Sequence, residues 1–264
     1  MIKSANHREL VPERQQRIHE LVRERGVIRV DEVCAALGVS PATVRRDLEA
    51  LEQQGRIRRV HGGALSTESR LDEPFFDDKA TIASLEKLQI ARRALSLIRD
   101  RETIYLDGGS TVLELARLIR DRSDLVVVTN SLRAAHELSG AEPRLILIGG
   151  ELRRRSQSLV GTLTRPVVRE LHVDKAFMGT MGFSIESGMT TTDPNEAFTK
   201  VMVMENSDTV VLLADSTKQG SISFARAGEL TDIDILITDG AFPAATRKEY
   251  KALGIEVVVT KAPE

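Results

Sequence analysis

The chain has no tryptophan and only two tyrosines and seven phenylalanines, so aromatics make up 3% of its 264 residues. Its core must be aliphatic, and an apolar share of 41% supplies enough side chains for that. A single cysteine, Cys34, excludes an intrachain disulfide and fits a reducing compartment. Its V-C-A-A-L setting reads as a buried packing position, not a reactive thiol. Long apolar runs are missing as well: the longest hold about five residues, far short of the ~20 that cross a bilayer. No apolar segment follows the basic residues near the N-terminus, so no signal peptide is expected. Nor is there a large charge excess, since the net charge of −2 argues against a protein that coats nucleic acid. These absences predict a cytoplasmic protein with no membrane partner. No metal, cofactor or catalytic set is expected.

What charge there is divides unevenly. Residues 1–63 carry 12 basic and 9 acidic side chains, whereas the remainder carries 25 and 30. A mildly basic head on a larger acidic body suggests that only the head meets a polyanion. Within it, Pro12 to about Arg25 reads as a first helix, with Ile18, Leu21 and Val22 on one face and Gly26 at its end. Val27–Val30 is a short β-prone run. Asp31 is expected to cap a second helix, Glu32–Leu37, which Gly38 stops. The stretch S-P-A-T-V-R-R-D-L-E-A-L (Ser40–Leu51) then opens with a capping serine and a proline at the first helical position. Val44, Leu48 and Leu51 form its apolar stripe, leaving Thr43, Arg45, Arg46 and Glu49 on the open face. Helix, glycine turn, helix is the helix-turn-helix arrangement, whose second helix enters the major groove. A further β-prone run, Ile57–Val60, is expected to pair with residues 27–30 and form a wing that carries Arg58, Arg59 and His61 near phosphates. Ser40, Thr43, Arg45, Arg46 and these three wing residues are the candidate DNA contacts. A helical head used for protein contact would explain the helices, but not the agreement of cap, arginine pair and basic wing.

The stretch V-D-E-V-C-A-A-L-G-V-S-P-A-T-V-R-R-D-L-E-A-L-E-Q-Q-G-R-I-R-R-V-H-G-G-A resembles the signature of the DeoR/GlpR family of bacterial sugar-catabolism repressors. The T-V-R-R-D-L core and the trailing H-G-G-A carry the likeness, which places the motif proper at about Ile28–Asp47. The expected organisation is a winged helix-turn-helix domain over residues 1–63, a linker over 64–79 and a sensor domain over 80–264. In the linker, Phe75 and Phe76 read as anchors on the body. Leu88, Ala91, Leu95 and Ile98 predict a helix face just beyond it.

In the body, β-prone runs recur at Thr103–Leu106, Leu125–Val128, Leu145–Ile148, Ala176–Met178, Val210–Leu213, Ile235–Ile237 and Val257–Val259. Helical stretches such as Thr111–Arg120 and Asn195–Glu205 fall between them. This predicts an α/β domain with a largely parallel sheet covered on both faces, whose ligands bind beyond the carboxyl ends of the strands. The residues there are polar and glycine-rich. Asp107, Gly108, Gly109, Ser110 and Thr111 follow the first run and open a helix, a cradle for phosphate through free N–H groups. Thr129, Asn130 and Ser131 follow the second, and Gly149 the third. Asp215 and Lys218 lie in a later turn. A structural strand–helix turn explains D-G-G-S-T alone; the convergence of several polar ends favours a site. Glu196 and Lys200, at i and i+4, read equally as an exposed helix pair or as ligand contacts. Lys175 is a further candidate to balance phosphate charge.

The body is similar to the family's sensor domain in D-G-G-S-T, V-T-N-S, I-G-G-E-L, V-D-K-A-F-M-G, E-A-F-T-K, L-L-A-D-S-T-K and L-I-T-D. That resemblance implies a sheet related to ribose-phosphate isomerases and acyl-CoA transferases, and a phosphorylated sugar or polyol as inducer. It also shows departures. Gly108 and Ser110 replace hydroxyl residues of the family's D-S-G-T-T loop, Val201 follows Lys200 where a basic residue is usual, and Met181 stands where a more polar residue is common. The expected function is a transcriptional regulator, a repressor acting as a homodimer or homotetramer on double-stranded operator DNA. A phosphorylated sugar or sugar derivative is its expected effector. The alternative, a sugar-phosphate isomerase using Glu196 or Asp107 as base and Lys175 or Lys200 as electrophile, lacks a D-G-A-D-E motif.

Overall fold

The computed structural model describes residues 11–25, 27–54, 56–60, 62–66 and 73–260. It divides into two compact units, residues 1–72 and 73–264. In chain order, the first holds helix α1 (Val11–Arg25), strand β1 (Val27–Arg29), helices α2 (Val30–Leu37) and α3 (Pro41–Gln53), and strands β2 (Ile57–Val60) and β3 (Gly63–Ser66). Ile18 and Val22 of α1, Val33 of α2 and Val44, Leu48 and Leu51 of α3 close around one aliphatic core with Ile28, Ile57 and Ala64. Cys34 is only partly buried at its margin. The pair of Arg14 and Asp47 fastens α1 to α3: the guanidinium donates to both carboxylate oxygens, at 2.6 and 3.1 Å.

Three details of this unit depart from expectation. Helix α2 starts at Val30, not after a capping Asp31; instead the Arg29 N–H donates to the Glu32 carboxylate at 2.7 Å. The two β-prone runs are not neighbours. Strand β3 lies between them, pairing antiparallel with both, so that the order is β1-β3-β2. The reason is local: after β2 the chain reverses through Gly62, at φ +84°, and returns along it. A Cβ on Gly63 would lie 2.1 Å from the Ile28 carbonyl oxygen, so β3 can approach β1 only as glycine. The unit therefore runs past the expected boundary at residue 63. The 64–79 linker is corrected too, because β3 takes its first residues and a helix from Phe76 takes its last.

The second unit begins with helices α4 (Phe76–Thr81) and α5 (Ser84–Leu95). There follow β4 (Thr103–Leu106), α6 (Ser110–Leu118), β5 (Val126–Thr129), α7 (Leu132–Leu138), β6 (Arg144–Leu147), β7 (Glu151–Arg153), β8 (Ser158–Val160) and α8 (Arg165–Val168). Next come β9 (Val173–Met178), β10 (Gly182–Ser184), β11 (Gly188–Thr191), α9 (Pro194–Glu205) and β12 (Ser207–Leu213). The chain closes with β13 (Ala225–Arg226), β14 (Ile235–Thr238), α10 (Ala244–Ala252) and β15 (Glu256–Val259). All seven expected runs form one parallel sheet in the order β15-β14-β12-β9-β4-β5-β6. Alternate residues of its central strands feed opposite cores: Ile104, Leu106, Phe177, Val211 and Leu213 on one face, Tyr105, Ala176, Met178 and Leu212 on the other. Two small antiparallel features were not anticipated, the hairpin β7-β8 and the ribbon β10-β11-β13. Among the described residues no helix is long and apolar enough to cross a membrane.

Candidate functional site

Helix α3 is built as the sequence requires. The Ser40 hydroxyl accepts the Thr43 N–H at 3.2 Å and lies 2.9 Å from the Thr43 hydroxyl. Val44, Asp47, Leu48 and Leu51 are buried, while Arg45, Arg46 and Glu49 are exposed and Thr43 is half-buried. Both arginines thus stand on the solvent side of a helix anchored by its apolar stripe and by Asp47. Arg59 is exposed on β2, and its N–H donates to Glu52 at the end of α3 at 2.9 Å, tying the wing to the helix. The Arg58 side chain and His61 lie outside the described residues.

In the second unit the carboxyl ends of β4, β9 and β12 meet around one buried ion pair. Asp107 and Lys200, each 2% exposed, are joined by a hydrogen bond between Asp107 Oδ2 and Lys200 Nζ. The same oxygen accepts the Gly179 N–H at 2.9 Å, and Lys200 also donates to the Gly179 carbonyl at 3.0 Å. Burial works against the charge of Lys200, but Asp107 and Glu196 more than offset it and hold its pKa above the ordinary value. Glu196, 3.6 Å from Lys200, accepts the Thr191 hydroxyl at 3.1 Å. The expected exposed i, i+4 pair is therefore a buried one. Gly179 backs directly on Gly108 and Gly109, where Gly109 stands at the N-terminus of α6 and, among the described residues, no side chain caps the first turn.

Lys218 approaches the same place from the turn after β12, donating to the Thr180 carbonyl at 2.7 Å. Burial lowers its pKa, opposed by Asp215, and the charges of Lys79, Lys87 and Lys200 lower it further, to about 8. Its turn is held by Asp239 beyond β14, which accepts the Ser216 N–H at 2.6 Å and the Ser216 hydroxyl at 2.9 Å. Asn130 is buried beside Gly108, and its Nδ2 donates to the Leu159 carbonyl while its Oδ1 has no hydrogen-bond partner among the described residues. A fixed acceptor with nothing donating to it, next to a glycine turn that has Lys200 and Lys218 close by, suits a ligand that carries both hydroxyl and anionic groups.

Not every candidate belongs to this cluster. Lys175 lies near the start of β9, paired in register with Ile104, and its ammonium is taken by Glu102 just before β4. It is at the wrong end of the strands. The Thr129 hydroxyl donates to the Leu106 carbonyl at 2.6 Å and the Ser131 hydroxyl caps α7 through the Ala134 N–H at 3.2 Å, so both shape the turn. Gly149 is exposed beyond the edge strand β6, with open space around it. Asp107, Gly108, Gly109, Ser110, Thr111, Asn130, Glu196, Lys200, Asp215 and Lys218 remain together at the sheet's carboxyl edge.

Residues that sequence reasoning passed over complete the cluster. Arg153, on β7, reaches Glu73 at 2.6 Å, Thr192 at 2.8 Å, Glu196 at 3.2 Å and Asp193 at 3.5 Å. Its contact with Glu196 is close but poorly aligned, so Arg153 Nη1 and Glu196 Oε2 keep unspent hydrogen-bonding capacity. Only the run of arginines at 153–155 hinted at it. A separate cleft of about 230 Å³ lies between α8 and the far end of α9, lined by Arg165, Arg169, Phe198 and Glu205, and shares none of these residues.

Comparison with known proteins follows the same division. Residues 14–70 match a DeoR-like helix-turn-helix domain, and residues 82–240 match a DeoR C-terminal sensor domain. A transcriptional regulator of Haloferax volcanii named GlpR is 38% identical over 94% of this chain and 98% of that protein. The glycerol-3-phosphate regulon repressor of Escherichia coli K12 is 34% identical over 88% of this chain and 92% of its own. A putative aga operon transcriptional repressor of Escherichia coli O157:H7 is 33% identical over 94% and 93%. Among solved structures, a ribose 5-phosphate isomerase from Methanocaldococcus jannaschii overlaps 50% of this chain and 53% of its own, at 21% identity and a TM-score of 0.38.

Proposed function

Since this chain belongs to the DeoR family of transcriptional regulators, we propose that it represses a carbohydrate catabolic or transport operon in the cytoplasm and is released from its operator by a phosphorylated sugar or related derivative. Arg45, Arg46 and Thr43 read the major groove, and Arg59 fixes the wing on phosphate. One head offers too few contacts for a specific site, so the operator is palindromic or repeated and the protein binds as a dimer or tetramer. The observation that carries the effector reading is the closeness of Lys79, Lys87 and Lys200 to Lys218, with Lys200 held on Asp107 and the Lys79 carbonyl reached by Ser110 at the uncapped N-terminus of α6, beside Asn130 Oδ1, which has no partner among the described residues. Cations and free N–H groups suit phosphate, and a buried acceptor suits a sugar hydroxyl. The name of the Escherichia coli glycerol-3-phosphate regulon repressor points to a small phosphorylated polyol in that relative.

Repression is the reading of the sign because two of the three relatives are named as repressors, one of them a putative one. An isomerase would need a base free to abstract a proton, whereas Asp107 is bound to Lys200 and Gly179, Glu196 is paired with Arg153 and Lys200 and accepts the Thr191 hydroxyl, and Lys175 is remote.

The test is mobility shift on the chain's own upstream promoter, repeated with a panel of sugar phosphates. Binding at low salt, lost in the Arg45→Ala/Arg46→Ala double variant and reversed by at least one phosphorylated ligand, is the expected result. An effector at 100 times its Kd also stabilises the protein by about 2.7 kcal/mol in a thermal-shift screen. If no phosphorylated compound moves either signal, the sensor assignment fails.

A further inference from the structure

Glu73 is the first described residue after the segment leading from the DNA-binding unit, and it is 2% exposed. Its carboxylate is fully engaged: Lys79 Nζ lies at 2.5 Å, Arg153 Nη2 at 2.6 Å, and the Thr192 hydroxyl donates at 2.6 Å. Two cations and a hydroxyl converging on one compact anion form a pocket that a phosphate or carboxylate oxygen set would fill equally well. Residues 73–82, the first of the sensor unit, hold further ties to the rest of it. The Arg155 guanidinium donates to the Glu73 carbonyl and stacks 4.7 Å from the Phe75 ring centroid. Lys87 donates to the carbonyls of Lys79 and Ile82, and the Ser110 hydroxyl of the glycine turn reaches the Lys79 carbonyl at 3.5 Å. Lys79 lies on this strap, so its bond to Glu73 is internal; the strap is fastened from outside by Arg153, Thr192, Arg155 and Lys87, and Arg153 and Lys87 also border the candidate effector site.

We propose that Glu73 is the resident occupant of an anion pocket formed by Arg153, Thr192 and the neighbouring Lys79, and that an acidic group of the effector competes with it and frees the Glu73 end of the strap, where the chain leads to the DNA-binding unit. The identity of that competitor rests on the effector reading above; the pocket itself does not. Arg153 is the pivot, because it also faces Asp193 and Glu196 at the edge of the Asp107–Lys200 cluster. Exchanging one anion for another leaves no buried cation unpaired, so the exchange avoids the large penalty of simply breaking the pair. Release is then a competition between two carboxylate-like ligands, one of them covalently attached to the strap.

The test uses the full chain and compact anions of defined identity. Hydrogen–deuterium exchange is followed in peptides spanning 74–82 with inorganic phosphate, with acetate, and with chloride at matched ionic strength. Phosphate or acetate, whichever class the pocket accepts, is expected to speed exchange there at least tenfold over chloride. By calorimetry, Glu73→Gln, which removes the resident charge, is expected to bind that anion at least tenfold more tightly than the unaltered protein. Arg153→Gln should share the fast exchange of Glu73→Gln but bind the anion more weakly, a divergence that a purely structural tie would not give. Glu73→Asp, with its charge retained, provides a folded comparison that should keep the low affinity. Unchanged exchange in the unaltered protein with both anions, or an affinity in Glu73→Gln no higher than in the unaltered protein, overturns the proposal. If exchange responds but no sugar phosphate releases the operator, the pocket stands and the effector reading falls.

Discussion

Lys218 carries a charge open to adjustment close to neutral pH. Burial and the neighbouring Lys79, Lys87 and Lys200 outweigh Asp215 and bring its pKa down to about 8 from an ordinary 10.5. An anion arriving beside it would raise that pKa again, so binding takes up protons, and affinity should fall as pH climbs through about 8. Calorimetry of effector binding at pH 8 in buffers of different ionisation enthalpy should register this uptake, and Lys218→Gln should abolish it. Glu73 shows the opposite case. Burial would raise its pKa, but the Lys79 charge and the hydrogen bonds from Arg153, Lys79 and Thr192 hold it at about 2, against an ordinary 4.5. A depressed carboxylate gives stability that is fully present above the unfolded pKa and is lost as pH falls through the folded one. Its share is on the order of 3 kcal/mol. Acid titration of unfolding should thus be flatter between about pH 5 and pH 2 in Glu73→Gln, and an unchanged acid limb would contradict the paired state. Lys218 was a candidate from the sequence, in the polar turn after a β-prone run, whereas Glu73 was not. Glu73 and Arg153 are brought together only by the fold, and no local period marks either one.

At the scale of elements, α3 was the most legible part of the chain because its instructions are local. Ser40, Pro41 and the Val44–Leu48–Leu51 stripe state where the helix begins and which face is buried, and the structure follows them. Ser40→Ala should cost about 1 kcal/mol of stability in the DNA-binding unit, read by urea unfolding. Asp47→Asn, which takes the charged acceptor from Arg14, should cost more, about 2–3 kcal/mol. Strand β3 was hidden for the converse reason. Its residues, Gly63–Ser66, have little β propensity, and its place is set by hairpin return and by the lack of a side chain at Gly63. Gly63→Val should therefore disrupt the wing while leaving the α3 cap intact, a split visible in amide exchange. The parallel strands of the sensor unit were legible from continuous apolar runs, whereas β7, β8, β10 and β11 are short segments whose pairing partners arrive from outside the run.

For the whole molecule, the balance of charge predicts strongly salt-dependent operator binding. Each arginine that neutralises a phosphate contributes about −0.9 to the slope of log K against log salt, so Arg45→Ala should flatten that slope if its partner is phosphate. If it reads a base instead, the slope stays and discrimination drops by about 1–3 kcal/mol. The class of fold, and the sheet edge at which the candidate site is proposed, were legible in the sequence because parallel sheets leave one place for ligands. Strand order did not, since nothing local tells β4 that its neighbour β9 lies some seventy residues ahead (Ile104 pairs with Lys175). That order has a consequence during synthesis. The DNA-binding unit is closed by contacts among its own first residues, so it can fold as soon as it leaves the ribosome. Strand β4, destined for the middle of the sheet, pairs early only with β5 and waits with its other edge open until β9 is made. For that interval the nascent chain carries a finished DNA reader beside an unfinished sheet edge, the kind of surface on which chaperones act and nascent chains aggregate.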